Sequence, residues 1–323
     1  MNTSLPIRPF GSTADRTTAL GLGGAVLANS SYRDGVATVR RALELGVKYF
    51  DTSPGYCANE SQLMMGEGLA DAPDDIMVAT KVGYFETPAG FRSEDEIKHQ
   101  IEDNLKRLRR DSVDVLQVHE ANWASWWDDH AESRTAQISA GTAYEFADAP
   151  AIRVLRWARE QGLCRYIGIT GNVSHQMTRI LADVDVDTFL VAYSYDLIVR
   201  SAEADAIPLA RSKDVVLILG AIFYGGRLVA PHPEWLTSPP EWMDADLRDR
   251  FDRLYRIQDE SGIPLVEMAM RFALAQGDAS VVLVGCARPR EIEQLVEATL
   301  AGELPADAAR EIANLGRRAE ESI

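Results

Sequence analysis

Apolar positions along the chain alternate between two textures. Short unbroken runs rich in Val, Ile and Leu occur at 20–27, 47–51, 76–82, 113–118, 165–170, 188–193, 215–221 and 280–285. Between them, apolar residues recur at helical spacing over 34–46, 60–70, 93–110, 150–162, 174–183, 201–212, 246–276 and 289–302. Unbroken apolar runs are what parallel strands need when both faces are buried. Helix ends are marked as well. Asp34 is expected to cap the first helix and Gly46 to close it, while Ser93, followed by Glu94, Asp95 and Glu96, is expected to cap the third.

Eight strand–helix units without a long polar linker predict an α/β chain folded as a closed (β/α)8 TIM barrel, one domain over residues 1–323. The segment before the first strand is expected to form a hairpin at the barrel bottom. Residues 303–320 are expected to add an amphipathic C-terminal helix. Two loops, 120–150 and 225–245, exceed the usual connection length and carry several Trp residues. Those rings suit a pocket wall or a stacking face for a sugar-like ring; packing in a lid or an oligomer contact is the plainer use.

Composition narrows the partners. A net charge of −16 argues against a nucleic-acid groove or an anionic membrane surface. The three cysteines are scattered, which suits a reducing cytoplasm rather than a disulfide framework. No apolar stretch reaches the roughly 18 residues of a membrane span, and the first residues lack a signal-peptide core. The expectation is a cytoplasmic protein, a monomer or small homo-oligomer, acting on a small molecule. Five histidines without metal-ligand spacing predict no metal. The GLGGAV string at 21–26 lacks the third glycine of a dinucleotide fingerprint and reads as the tight end of the first strand.

The chemistry stands at strand ends. FDTSPGY ends strand two with Asp51 and Tyr56, VATKVG places Lys81 on strand three, and VDVLQVHE places His119 just past strand four. Reacting groups of barrels gather on that face. An ammonium near a phenol is expected to lower the Tyr56 pKa, with Asp51 holding Lys81 charged and His119 orienting a substrate oxygen. Any one of the four alone would read equally well as a cap or a structural ion pair. Together, in order on consecutive strands, they suit a proton transfer that accompanies a hydride transfer.

On these motifs, and on the opening RPFGSTADRTTALGLGG, the chain resembles the aldo-keto reductase superfamily over nearly its full length. The resemblance implies the barrel fold, Tyr56 as general acid/base, Lys81 and Asp51 as its tuning pair, and His119 as the orienting group. YIGITGN, PHPEWLTSPPEW and VVLVGCARPREIE are most similar to the aldose 1-dehydrogenase branch, whose members oxidise an anomeric hydroxyl to a lactone with a nicotinamide cofactor. A substrate pocket of Tyr56, His119, Trp123 and Trp126 is expected.

The same resemblance implies a cofactor site. Gly23 and Gly24 would approach it beside Asp51, and Thr170 would contact the carboxamide. Gly171 stands where many members have Asn, and Asn172 is the neighbour that could replace it. Ala221, Phe223 and Gly225 would wrap the pyrophosphate. Gly285, Ala287, Arg288, Glu291 and Gln294 would meet the adenosine half, where the helix N-terminus can receive phosphate charge. Glu291 would repel a 2′-phosphate and accept from ribose hydroxyls, which favours NAD, while Arg288 and Arg290 argue for NADP. NAD is favoured. The expected enzyme is an NAD(P)-dependent oxidoreductase that oxidises an aldose or similar polar alcohol. An NADPH-dependent aldehyde or ketone reductase is the enzymatic alternative. A regulatory subunit that binds nicotinamide without turnover is the alternative of another class.

Overall fold

Side-chain parity along the strands decides what faces the barrel axis. In the computed structural model, which describes residues 4–316, an antiparallel hairpin of β1 (Ile7–Pro9) and β2 (Arg16–Thr18) precedes eight parallel strands. These are β3 (Leu20–Gly23), β4 (Tyr49–Asp51), β5 (Met77–Val82), β6 (Val113–Val118), β7 (Cys164–Gly171), β8 (Thr188–Ala192), β9 (Val216–Gly220) and β10 (Ala279–Gly285). Pairing of β10 with β3 closes the ring, and helices surround it.

Neighbouring residues of a strand point to opposite faces. Phe50, Val78, Val82, Leu116 and Val118 face outward and join the apolar layer beneath the helices. Tyr49, Met77, Ala79 and Val115 face inward, with Leu190, Val216, Ile218 and Val281. Both parities are apolar in the lower barrel, which is why the strands read as unbroken runs. Two residues further up, the inward rows reach Asp51, Lys81 and Gln117, with Asp51 in register with Ala79 and Lys81 with Gln117. The barrel is thus apolar at its bottom and polar at its top.

The hairpin closes the bottom, as expected. Phe10 leaves it with no exposed surface and packs its ring 6.0 Å from Tyr49 and 5.4 Å from Tyr166, both inside the barrel.

Several expected boundaries shift for identifiable reasons. The first strand stops at Gly23, and Gly24–Asn29 winds into a 3-10 turn. The first helix runs Tyr32–Glu44 and is capped by Ser31, whose hydroxyl accepts from Asp34 N; Asp34 lies in the first turn instead of capping it. The span 201–212 divides into a 3-10 turn and the helix Ala206–Ser212, which Asp205 caps. The span 246–276 divides into Ala245–Ser261 and Leu265–Leu274, because Gly262 turns left-handed and Pro264 precedes the second helix. The C-terminal helix is Ala306–Asn314; the expected positions 317–320 lie outside the described residues.

Phe10→Ala removes the plug from a packed interior. The expected loss is about 3–5 kcal/mol of unfolding free energy, measured by urea denaturation. A loss below about 1 kcal/mol would show that the ring is not seated as described.

Candidate active site

At the polar end of the barrel, Lys81 and Asp51 form a buried ion pair, each with 1% of its surface exposed. Lys81 Nζ also donates to the Thr52 carbonyl at 2.9 Å, and Gln117 Nε2 donates to the second Asp51 oxygen at 3.1 Å. Burial pushes the Asp51 carboxyl up and the Lys81 amine down, and their mutual attraction opposes both shifts. Behind Lys81, Asn104 of the helix Glu94–Leu108 donates to its carbonyl at 2.8 Å.

The Lys81 ammonium lies 4.9 Å from the centroid of the Tyr56 ring. Tyr56 Oη meets His119 Nε2 at 3.3 Å, and His119 Nδ1 meets Ser53 Oγ at 2.7 Å. The imidazole is buried, and burial together with the Lys81 charge holds its pKa well below the usual histidine range. His119 is therefore neutral at neutral pH. Burial likewise raises the Tyr56 pKa well above 10, followed by the effects of Asp51, Tyr84 and Glu120. This reverses the expected direction. The ammonium is spent on Asp51 and a carbonyl and lies over the phenol ring, so desolvation outweighs it at the hydroxyl.

The four expected residues thus come together, but the two Trp residues part company. Trp123 is partly exposed and sets its ring 5.5 Å from Tyr84. Trp126 has no exposed surface; its Nε1 donates to the His119 carbonyl at 2.8 Å and its ring packs 4.8 Å from Phe91. It supports His119 from behind, which corrects its expected place in the pocket wall. Gly83 makes this possible, since a Cβ there would come 3.1 Å from His119 Cβ and 3.3 Å from the Trp126 ring.

Two further residues border the same opening. The Tyr84 ring meets the His119 ring edge-on at 4.8 Å, and a Cβ at Gly55 would fall 2.4 Å from the Tyr84 ring. Glu120, next to His119, accepts from Tyr84 Oη at 3.4 Å and from Asn172 Nδ2 at 2.8 Å. Tyr84 lies just past VATKVG and Glu120 closes VDVLQVHE, but neither is among the four expected residues. The glycine of SPGY, which leaves room for a neighbouring ring, was the one available hint. Tyr84, Glu120, Tyr193 and Ala221 stand one or two positions past their strands with positive φ, at 60°, 51°, 58° and 55°.

The expected cofactor residues occupy the ends of β3, β4, β7 and β10 and the segments that follow β3, β9 and β10. Thr170 is buried near the end of β7, beside Gly171. Gly171 has Asn122 Oδ1 and Met177 where its side chain would be, and Asn172 is engaged with Glu120 and, through its N–H, with Asn122 Oδ1 at 3.2 Å. Gly23 ends β3, and Gly24 follows, its carbonyl bonded by Ser61 Oγ at 2.8 Å. After β9, Ala221, Tyr224, Gly225 and Gly226 all have positive φ, with Phe223 among them. Left-handed residues in such a turn direct N–H groups toward a concavity that suits an anion, and this is the feature of the chain that fits a pyrophosphate.

Glu291 turns back on its own helix, Pro289–Leu300, and accepts from Ala287 N at 2.7 Å and Arg288 N at 3.3 Å. Its carboxylate is committed to amides that were expected to meet phosphate. Arg288 donates to Ser30 Oγ at 3.2 Å, and Ser30 donates to Asp34 at 2.6 Å. Gly285 and Gln294 are exposed. Among the described residues, no three His, Cys, Asp or Glu side chains converge as metal ligands, and no helix is long and apolar enough to cross a membrane.

Comparison with known proteins agrees with this geometry. Residues 19–317 match the Aldo/keto reductase family. L-galactose dehydrogenase of Arabidopsis thaliana is 30% identical, covering 92% of this chain and 88% of its own. Pyridoxal 4-dehydrogenase of Microbacterium luteolum is 27% identical over 90% and 91% of the two chains. D-threo-aldose 1-dehydrogenase of a Pseudomonas species is 26% identical over 91% and 93%. The holo form of an aldo-keto reductase from Bacillus halodurans superposes with a TM-score of 0.75 over 98% of both chains at 22% identity, which speaks to the fold. The chain belongs to the aldo/keto reductase family and is an NAD(P)-dependent oxidoreductase.

Proposed function

We propose that this enzyme oxidises the anomeric hydroxyl of an aldose to a lactone, with NAD as the preferred acceptor. The observation that carries the reading is the 3.3 Å spacing of Tyr56 Oη and His119 Nε2, which lets one substrate oxygen meet both groups. A bound nicotinamide supplies the hydride acceptor at its C4, and the protein's part is to hold the substrate and take the proton.

Tyr56, as phenolate, accepts the proton of the reacting hydroxyl while the C–H bond of the same carbon gives up its hydride, leaving a C=O. The Lys81 ammonium, 4.9 Å from the ring centroid, favours the phenolate that accepts this proton. With Ser53 as the donor in its 2.7 Å bond to His119 Nδ1, Nε2 keeps its hydrogen and directs it at the reacting oxygen. The lowered pKa of His119 prevents it from competing for the proton. Thr170 and the turn at 221–226 would hold the cofactor, with Arg288, Glu291 and Gln294 toward its adenosine end.

The sugar assignment draws on the hydrogen-bonding wall of Tyr84, Glu120 and Asn172 beside the partly exposed Trp123. It also draws on relatives whose names are those of sugar dehydrogenases. The NAD preference draws on the negative charge that Glu291 keeps at the rim even while it caps its helix.

A multiple-turnover screen of sugars, aldehydes and polar alcohols with NAD and NADP tests the reading. Lactone formation with NAD supports it. Faster aldehyde reduction with NADPH makes the enzyme a carbonyl reductase, and tight cofactor binding without turnover makes it a regulator. Tyr56→Phe is expected to lower kcat by about 10²–10⁴, the usual share of general acid–base catalysis, with cofactor Kd nearly unchanged. Retained turnover would remove Tyr56 from the mechanism.

The pH profile has a definite sign. Phenolate is the active base, and its pKa lies well above 10, so its fraction climbs about tenfold per pH unit through the neutral range. Oxidative kcat/KM is expected to rise with that slope and to show no break at about 6.5, since His119 stays neutral there. A flat oxidative profile, with a substrate isotope effect showing hydride transfer to be rate-limiting, contradicts the assignment.

A further inference from the structure

Glu120 is a buried carboxylate that the proton-transfer scheme does not use. It keeps 8% of its surface exposed, and its backbone is held at φ +51°. That conformation brings Oε1 to 4.0 Å from His119 Nε2, the nitrogen that also meets Tyr56 Oη. Oε2 is satisfied by Asn172 at 2.8 Å, whereas among the described residues Oε1 has only the long 3.4 Å bond from Tyr84.

A carboxylate has about four acceptor positions, and burying one without full partners is costly. A strut between Tyr84 and Asn172 would cost less as an amide. The under-occupied oxygen stands beside the place where the reacting oxygen is received.

We propose that Glu120 is a specificity residue that accepts a hydrogen bond from the hydroxyl on the carbon next to the reacting one. The site thereby selects vicinal diols and α-hydroxy carbonyl compounds, the pattern of sugars, over isolated alcohols and aldehydes. This rests on Tyr56 and His119 receiving the reacting oxygen. Vicinal oxygens in a gauche diol are separated by about one hydrogen-bond length. With the first oxygen against Tyr56 Oη and His119 Nε2, the second comes within reach of Oε1. Only a donor satisfies it: a carboxylate accepts from a 2-hydroxyl and gains nothing from an ether oxygen or a methylene.

The test is kcat/KM for matched pairs of aldoses and their 2-deoxy counterparts. Wild type is expected to favour the 2-hydroxy member by at least about 100-fold, because a site built around a hydroxyl rejects the analogue that leaves its polar group unpaired. In Glu120→Ala that ratio is expected to fall to about 3 or less, and in Glu120→Gln, which keeps the shape but loses the charge, to an intermediate value. A general packing role would depress both substrates and leave the ratio standing, so an unchanged ratio in either variant overturns the assignment. The wild-type comparison needs no variant to fold: equal use of both sugars overturns the role of Glu120 alone. Turnover of neither sugar, alongside good turnover of simple aldehydes, overturns the underlying sugar reading.

Discussion

The ion pair of Lys81 and Asp51 is the constraint around which the rest of the site is arranged. Each partner lies on an inward row of a barrel strand, where water is excluded and an unpaired charge would be severely penalised. Such a pair is weak evidence for stability, since an apolar pair of the same volume often serves as well. What it does here is locate atoms. Lys81 grips the Thr52 carbonyl and so anchors the loop that carries Ser53 and Tyr56, while Gln117 fixes the second oxygen of Asp51. The ion pair and the Gln117 bond together tie three strands and set the phenol beside the imidazole.

A second layer holds the imidazole. Trp126 bonds the His119 carbonyl, Ser53 meets one ring nitrogen, and Tyr84 packs against the ring edge. Desolvation keeps this group neutral, and the same desolvation raises the Tyr56 pKa. The histidine shift suits the donor role that the reading assigns to it, whereas the raised Tyr56 pKa keeps the phenol protonated through the neutral range and ties oxidation to rising pH. A site more open to water would blur that division, because both groups would return toward their ordinary pKa values.

Much of this could be read from the chain, and the exceptions have physical causes. The bounds of β6 and of the helix Ser174–Asp183 coincide with expectation because their apolar periods run uninterrupted between clear ends. The span 246–276 kept one helical period across Gly262 and Pro264, so the pattern concealed the break that the backbone imposes. Strand ends made Asp51, Tyr56, Lys81 and His119 visible because parity and motif coincide there. Trp123 and Trp126 could not be told apart, since their difference is a contact with the His119 carbonyl made across a loop. Tyr84 and Glu120 were hidden for another reason. Their side chains reach the mouth through left-handed backbone at positions held by neither glycine nor asparagine, the residue types that mark such a turn. Glu291 has a second use that its place in the sequence does not separate from a cofactor contact, because a carboxylate three residues inside a helix also bonds its own first amides.

Those left-handed exits also bear on how this protein can be adapted to heat. Tyr84, Glu120, Tyr193 and Ala221 each hold a conformation that costs an L-residue about 1 kcal/mol or more. Glycine would relax that backbone at all four positions and would strip the mouth of two phenols and a carboxylate. Selection for thermal tolerance and selection for substrate choice therefore pull in opposite directions along one rim of the barrel. Gains in durability are open to the chain at its other end, around the Phe10 plug, where no reacting group depends on the shape of the turn.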